Sequence, residues 1–266
     1  MSILKYNCIY GSYNARTFDN TYGVIVDKKA NKPITTIFFD FGNTLHNYNL
    51  DLFFQWLSRQ YNIPRRYFWN LFGHYPDGLI FSYECGQTTK DFLESFRKAA
   101  KTTAEKIKDS MPLPSYTDED FRFHWNRVFD PFPPSGDKLD LLRNLKNRGY
   151  TLAILSNTNE MHYDYITKSP RFQSILNFFE SFYIASCKVG CRKNKLRLDG
   201  SNRKECEEIF WKAYSLTHCV PEEAILIDDI ESFIEVFHKM GGKGIHHRGS
   251  WTQIEKELDD LGILLK

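Results

Sequence analysis

Three short apolar runs, far apart in the chain, each stop abruptly at a polar or acidic residue. Residues 34–39 (Ile-Thr-Thr-Ile-Phe-Phe) lead into Asp40, residues 150–155 into Ser156, and residues 224–227 into the pair Asp228 and Asp229. Runs this short, rich in β-branched and aromatic side chains, are the pattern of strands buried on both faces. Helical stripes lie between and beyond them. Leu139, Leu142 and Leu145 form one, ended by Gly149; residues 205–216 form another; Phe233, Val236, Phe237 and Met240 form a third, closed by Gly241 and Gly242. Residues 181–185 and 243–247 read as two further strands. Alternating strands and helices imply a parallel sheet with right-handed crossovers. Ligands of such open sheets bind beyond the carboxyl ends of the strands. Asp40, Ser156 and the Asp228/Asp229 pair are therefore expected to meet in one crevice.

The segment between the first two runs has a different grain. Leu50, Phe53, Phe54, Leu57 and Tyr61 recur at helical spacing, residues 65–72 continue it, and Thr88 with Asp91 and Thr117 with Asp120 mark two helix starts. Pro131, Pro133, Pro134 and Gly136 then predict a loop. The expected architecture is α/β: a Rossmann-like parallel sheet core flanked by helices, with an inserted all-helical cap. Residues 34–47 and 133–266 form the core, residues 48–132 the cap, and residues 1–33 a polar N-terminal extension with a short strand near residues 23–26.

Of 266 residues, 42% are hydrophobic and 16% aromatic, ample for packed cores and unlike a disordered chain. A net charge of +2 is too mild to argue for nucleic acid. No apolar run approaches the ~20 residues of a membrane span, and no secretory leader is visible. A cytoplasmic protein, monomer or homodimer, is expected. The six cysteines are irregularly spaced without a C-x-x-C, as reduced thiols would be. Cys187, Cys191, Cys206 and Cys219 as a metal site is the lesser alternative, since paired short spacing is missing.

Carboxylates gathered in a low-dielectric crevice repel one another unless a cation joins them. Mg²⁺ takes one or two carboxylates together with phosphate oxygens and water. Asp40 and Asp229 are the expected ligands, with Asp228 acting through a water. A carboxylate so placed attacks phosphorus to give an aspartyl-phosphate, which water then opens. Ser156 is placed to hydrogen-bond a phosphoryl oxygen, and a nearby lysine to neutralise charge.

Asp40-Phe41-Gly42-Asn43-Thr44-Leu45, Leu155-Ser156-Asn157-Thr158-Asn159 and Ile227-Asp228-Asp229 occur in that order. They resemble the first, second and fourth motifs of the haloacid dehalogenase superfamily, over residues 34–247. Gly42 and the Ser-Asn-Thr-Asn segment are most similar to its sugar-phosphatase branch, the one containing α-glucose-1-phosphate phosphatase, as is Tyr83-Glu84-Cys85-Gly86. The resemblance implies a Mg²⁺-dependent phosphatase acting on a small phosphorylated metabolite, sugar phosphates ahead of nucleotides. Asp40 is then the nucleophile and a metal ligand, and Gly42 offers its carbonyl to the metal and substrate. Ser156 and Asn157 hold phosphoryl oxygens, Lys193 neutralises charge, and Asp229 and Asp228 complete the metal site. The cap closes over the substrate.

Two departures from the pattern stand out. Gly42 occupies the place where most such phosphatases carry an acid/base aspartate. The lysine motif is interrupted by an apparent insertion at residues 194–202, so that Lys193 is favoured and Lys204 is its rival. These departures motivate an alternative, a weakly active or inactive relative that binds a phosphate ligand or a partner. Haloacid dehalogenation is a third reading, opposed by the adjacent Asp228 and Asp229. His162, His246, His247, Arg65 and Arg66 are expected to be structural or solvated.

Overall fold

The computed structural model describes residues 32–73, 78–107, 114–129, 136–179, 182–194 and 203–264; for residues 203–206 it describes the main chain alone. The expected strand at residues 23–26, the extension up to residue 31, the prolines 131, 133 and 134, residues 195–202 and the side chain of Lys204 lie outside this set.

Five strands form one parallel sheet: β1 (Thr36–Phe39), β2 (Thr151–Ser156), β3 (Tyr183–Ala185), β4 (Ala224–Asp228) and β5 (Lys243–His246), in the order β3-β2-β1-β4-β5. β1 lies in the middle and is fully buried. Its side chains alternate between two apolar layers, as a pleated strand covered on both faces requires. Ile37 and Phe39 pack with Leu152, Ile154, Ile225 and Ile227, whereas Phe38 packs with Ala153, Leu155 and Leu226.

Five helices follow β1 in turn: α1 (Leu50–Tyr61), α2 (Arg65–Gly73), α3 (Leu79–Glu84), α4 (Thr89–Ile107) and α5 (Asp118–Asn126), and then a 3₁₀ turn at Arg127–Phe129. Their apolar stripes converge on Phe53, Phe72, Phe92, Phe96, Phe121 and Trp125. The expected starts are present. Thr117 and Asp120 form a reciprocal capping box on α5, and the Thr88 hydroxyl accepts from Asp91 N at 3.2 Å at the start of α4. Arg65 pairs with Asp51, and Arg66 lies over Tyr67.

The remaining helices cover the sheet or connect its strands: α6 (Gly136–Asn147), α7 (Glu160–Lys168), α8 (Gln173–Leu176), α9 (Ser186–Val189), α10 (Arg203–Thr217), α11 (Glu231–Lys239) and α12 (Trp251–Asp260). α12 was not foreseen from the sequence. It buries only Ile254 and Leu258, and Trp251 at its first turn stacks on Phe39 with centroids 6.4 Å apart. Among the described residues no helix is long and apolar enough to cross a membrane. Cys187, Cys191 and Cys219 are free thiols, while Cys8 and the Cys206 side chain lie outside the described set.

Candidate active site

The strand register brings the three motifs together. Phe39 pairs with both Ile154 and Ile227, so Asp40 leaves the sheet level with the last residues of its two neighbours, and its N–H donates to Ile227 O at 2.9 Å. The chain then turns back on itself. Leu45 N donates to Asp40 O, His46 N to Phe41 O at 2.8 Å, and Asn43 takes the left-handed conformation with φ of 53°. Asparagine tolerates that conformation better than most residues. The turn also places the Asn43 side chain on Asp229, to which it hydrogen-bonds.

Lys193 is the centre of the charge cluster. Its ammonium is 1% exposed and lies 2.6 Å from Asp40 Oδ1 and 2.6 Å from Asp228 Oδ2. Burial pulls its pKa down, but Asp228 and Asp40 and the hydrogen bonds to them outweigh burial, so it is raised overall and stays charged. Burial pushes the Asp40 carboxyl up, to about 7. Lys193 opposes that rise, while Asp228 and Asp229 add to it. Burial and then Asp228 likewise push Asp229 up.

The three aspartates offer oxygens that all lie within 4.8 Å of one another. Three carboxylates and one ammonium, all ionised, carry a net charge of −2. An all-oxygen donor set with that residual charge fits a hard divalent cation such as Mg²⁺. The oxygens of Asp228 already have protein partners: one accepts from Lys193 and the other from Ile230 N at 2.8 Å. Direct ligation therefore falls more naturally to Asp40, Asp229 and the Gly42 carbonyl.

Asn157 lines the cavity beside Ser156. Its side-chain amide clamps the backbone of Lys193, with Nδ2 donating to Lys193 O at 2.8 Å and Oδ1 accepting from Lys193 N at 2.7 Å. The second Nδ2 hydrogen and the main-chain N–H carry no bond to this clamp. Ser156 is 3% exposed, and its hydroxyl has one long contact, 3.4 Å to Asn157 O. That contact is too weak to hold the hydroxyl from a better acceptor.

Three groups at the site escaped sequence reasoning. The Tyr48 ring fills the space in front of Gly42: a Cβ added there would lie 2.9 Å from Tyr48 Cε1. Glu84 of α3 pairs with Arg192 at 2.7 Å, joining the helical insertion to the loop that carries Lys193. His247 donates from Nδ1 to Asn43 O at 3.0 Å and steadies the turn after Asp40. None of these follows from local pattern, because each contact joins segments far apart in sequence or depends on how a turn folds back. His162 is buried and structural, as expected. It stacks on Trp125 with centroids 4.7 Å apart, and burial drives its pKa down to about 4. His246 meets Asp229 O at 3.1 Å through Nε2.

Asp40, Asn43, Ser156, Asn157, Lys193 and Asp229 line one end of a cavity of about 380 Å³. Its other walls come from the helical insertion and from α7 and α11.

No protein-family model matches the chain, and no curated protein does. Solved structures do. A predicted HAD-like family hydrolase from Porphyromonas gingivalis is 20% identical, over 86% of this chain and 98% of its own, with a TM-score of 0.65. A HAD-family enzyme from Bacteroides thetaiotaomicron, in complex with magnesium and inorganic phosphate, is 20% identical over 83% and 98%, with a TM-score of 0.60. A HAD phosphatase from Thermococcus onnurineus is 14% identical over 86% and 98%, with a TM-score of 0.54. The fold is that of the haloacid dehalogenase-like enzymes. The likeness extends into the helical insertion, because 83–86% of this chain is covered, more than the residues outside the insertion could supply.

Proposed function

We propose that the protein is a Mg²⁺-dependent phosphatase that hydrolyses a small phosphomonoester through an aspartyl-phosphate on Asp40. The observation that carries this reading is the buried cluster in which Lys193 bridges Asp40 and Asp228 at 2.6 Å, with oxygens of the three aspartates within 4.8 Å of one another, in the wall of a cavity of about 380 Å³. The fold it shares with an enzyme complexed with magnesium and inorganic phosphate supports it. Residues 34–47 and 133–266 act as the catalytic core and residues 48–132 as the cap.

Bound Mg²⁺ would be held by Asp40, Asp229 and the Gly42 carbonyl, supported by Asp228, and would neutralise charge on the phosphoryl oxygens. An Asp40 oxygen attacks phosphorus in line, and the bond from phosphorus to the leaving oxygen breaks. Lys193 favours the ionised form of Asp40 against the effect of burial and offsets charge on the transferred group. Ser156 donates to a phosphoryl oxygen, and Asn157 fixes the backbone of Lys193. Water then opens the acyl phosphate and frees Asp40. Gly42 has no side chain to protonate the leaving oxygen, which takes its proton from solvent. General acid help is worth typically about 10²–10⁴-fold, so good leaving groups are favoured. The motif resemblance ranks sugar phosphates first among substrates, but those motifs belong to the core and do not touch the leaving group.

Asp40→Asn tests the assignment. The variant is expected to lose at least about 10³-fold in Mg²⁺-dependent turnover, as removal of a covalent nucleophile does. Hydroxylamine should trap the phosphorylated carboxylate in wild type only. Near-normal hydrolysis by Asp40→Asn, or halide release from haloacids that survives chelation, would overturn this reading.

A further inference from the structure

The cavity has one end fitted for phosphate and walls of quite different chemistry. Six residues of the helical insertion line it: Tyr48, Leu50, Ile80, Glu84, Trp125 and Phe129. Two of these are aliphatic and three aromatic, and the single charged one, Glu84, is already paired with Arg192. The Trp125 N–H is engaged as well, donating to Asn159 Oδ1 at 3.1 Å. The core side of the same wall is contributed by Ile166, Ile230 and Phe233, together with Thr158, Asn159, His162 and Arg192. The Asn159 and His162 side chains satisfy each other and their surroundings. Asn159 Oδ1 also accepts from His162 N at 3.1 Å, Asn159 Nδ2 lies 3.1 Å from His162 Nδ1, and His162 Nε2 lies 3.0 Å from Trp125 O. What remains on the insertion wall to meet a polar substituent is the Tyr48 hydroxyl and the Glu84–Arg192 pair, whose Glu84 Oε2 and Arg192 Nε make an ion pair but no well-aligned hydrogen bond.

The geometry points to a phosphomonoester whose alcohol or phenol carries a compact, mainly apolar body, rather than a polyol. This rests on the phosphatase reading and deepens it. A sugar phosphate brings several hydroxyls beyond its phosphate. Each hydroxyl moved from water to an apolar wall without a partner weakens binding by roughly tenfold. An apolar ring of the same size gains from burial against Leu50, Ile80 and Phe233 instead. A volume of about 380 Å³ must hold the phosphate as well, at the small end of ligand cavities, so the body is compact.

Cyclohexylmethyl phosphate and glucose 6-phosphate make a matched pair, since both have a six-membered ring and release a primary alkoxide. With Mg²⁺ and wild-type protein, kcat/KM is expected to favour the cyclohexyl ester by at least about tenfold. The corresponding non-hydrolysable phosphonates should bind in the same order by calorimetry. Ile80→Asn should move both ratios toward the sugar by about fivefold or more, while competition by inorganic phosphate stays within about twofold. Equal or better turnover and binding of the glucose compounds overturns the apolar-body proposal and leaves the phosphatase reading standing. Tighter binding of the cyclohexyl phosphonate without turnover of either ester supports the wall but removes the catalytic reading. Binding of neither phosphonate overturns both.

Discussion

At the residue scale the least comfortable group is Asp40. Its carboxyl is held near pH 7, well above the 3.8 of an unburied aspartate, with burial as the largest cause. The sign of the consequence follows from linkage. Between about pH 4 and pH 7 the folded protein holds a proton here that the unfolded chain has lost. Stability from this group is therefore complete below pH 4 and declines as pH rises toward 7. A cation that selects the ionised form reverses the trend, because its binding releases that proton. Without metal, the melting temperature of wild type relative to Asp40→Asn is expected to fall from pH 5 to pH 7. Saturating Mg²⁺ should stabilise wild type more at pH 7 than at pH 5, and should stabilise Asp40→Asn less at both. Thermal melts at the two pH values, with and without Mg²⁺, check this. Parallel behaviour of the two proteins would show that Asp40 does not carry the proton.

How much of this site was readable in sequence depends on where each contact comes from. Asp40, Ser156, Asp228 and Asp229 were legible because each follows an apolar run, and parallel strands of similar length deliver their tips to one place. Lys193 was legible only as the better of two lysines, and its bridging position needed the three-dimensional path of the loop after β3. The roles of Asn157 and Tyr48 were not legible. An asparagine after a strand gives no sign that its amide will clamp a backbone 36 residues away. Nothing local shows that a tyrosine six residues after a glycine will fold back onto it.

At the scale of elements, the strands and most helices were read from apolar periodicity, whereas α7, α8, α9 and α12 were not. The α12 stripe of Trp251, Ile254, Leu258 and Leu261, capped by Ser250, is present in the sequence but is diluted by charged residues on every other face, and Trp251 seats it on Phe39 of β1. The link between the tip of β2 and the loop after α9 is likewise a tertiary feature with a measurable consequence. Asn157→Ala removes both hydrogen bonds that hold the Lys193 backbone. It is expected to lower kcat by about 10-fold to 100-fold through misplacement of the ammonium, as loss of about 1–3 kcal/mol of positioning would. A double-mutant cycle with Lys193→Ala tests the route. If Asn157 acts through the lysine, its substitution costs little once the lysine is gone. Additive losses would show that Asn157 contributes independently.

The described residues belong to one compact unit, and the helical insertion does not stand apart from the sheet within it. One continuous apolar cluster runs from Phe53, Phe92 and Trp125 of the insertion to Ile37, Ile154 and Ile227 of the sheet. α7 bolts the two together with buried polar contacts. Glu160 accepts from Thr89 N at 2.9 Å and from its hydroxyl at 2.6 Å, Met161 N donates to the Tyr83 hydroxyl at 3.1 Å, and Asn159 and His162 hold Trp125. Melting the insertion alone would expose a face of this cluster and leave those groups unpaired, each at about 1–3 kcal/mol. Insertion and core are therefore expected to unfold in one cooperative step. With Trp211 and Trp251 replaced by Phe, the remaining tryptophans, Trp56, Trp69 and Trp125, all report on the insertion. Their fluorescence should follow the same urea curve as the far-ultraviolet circular dichroism of the whole chain. A fluorescence midpoint well below that of the dichroism would mean that the insertion opens while the sheet persists, and that the shared core and the α7 contacts do not couple them.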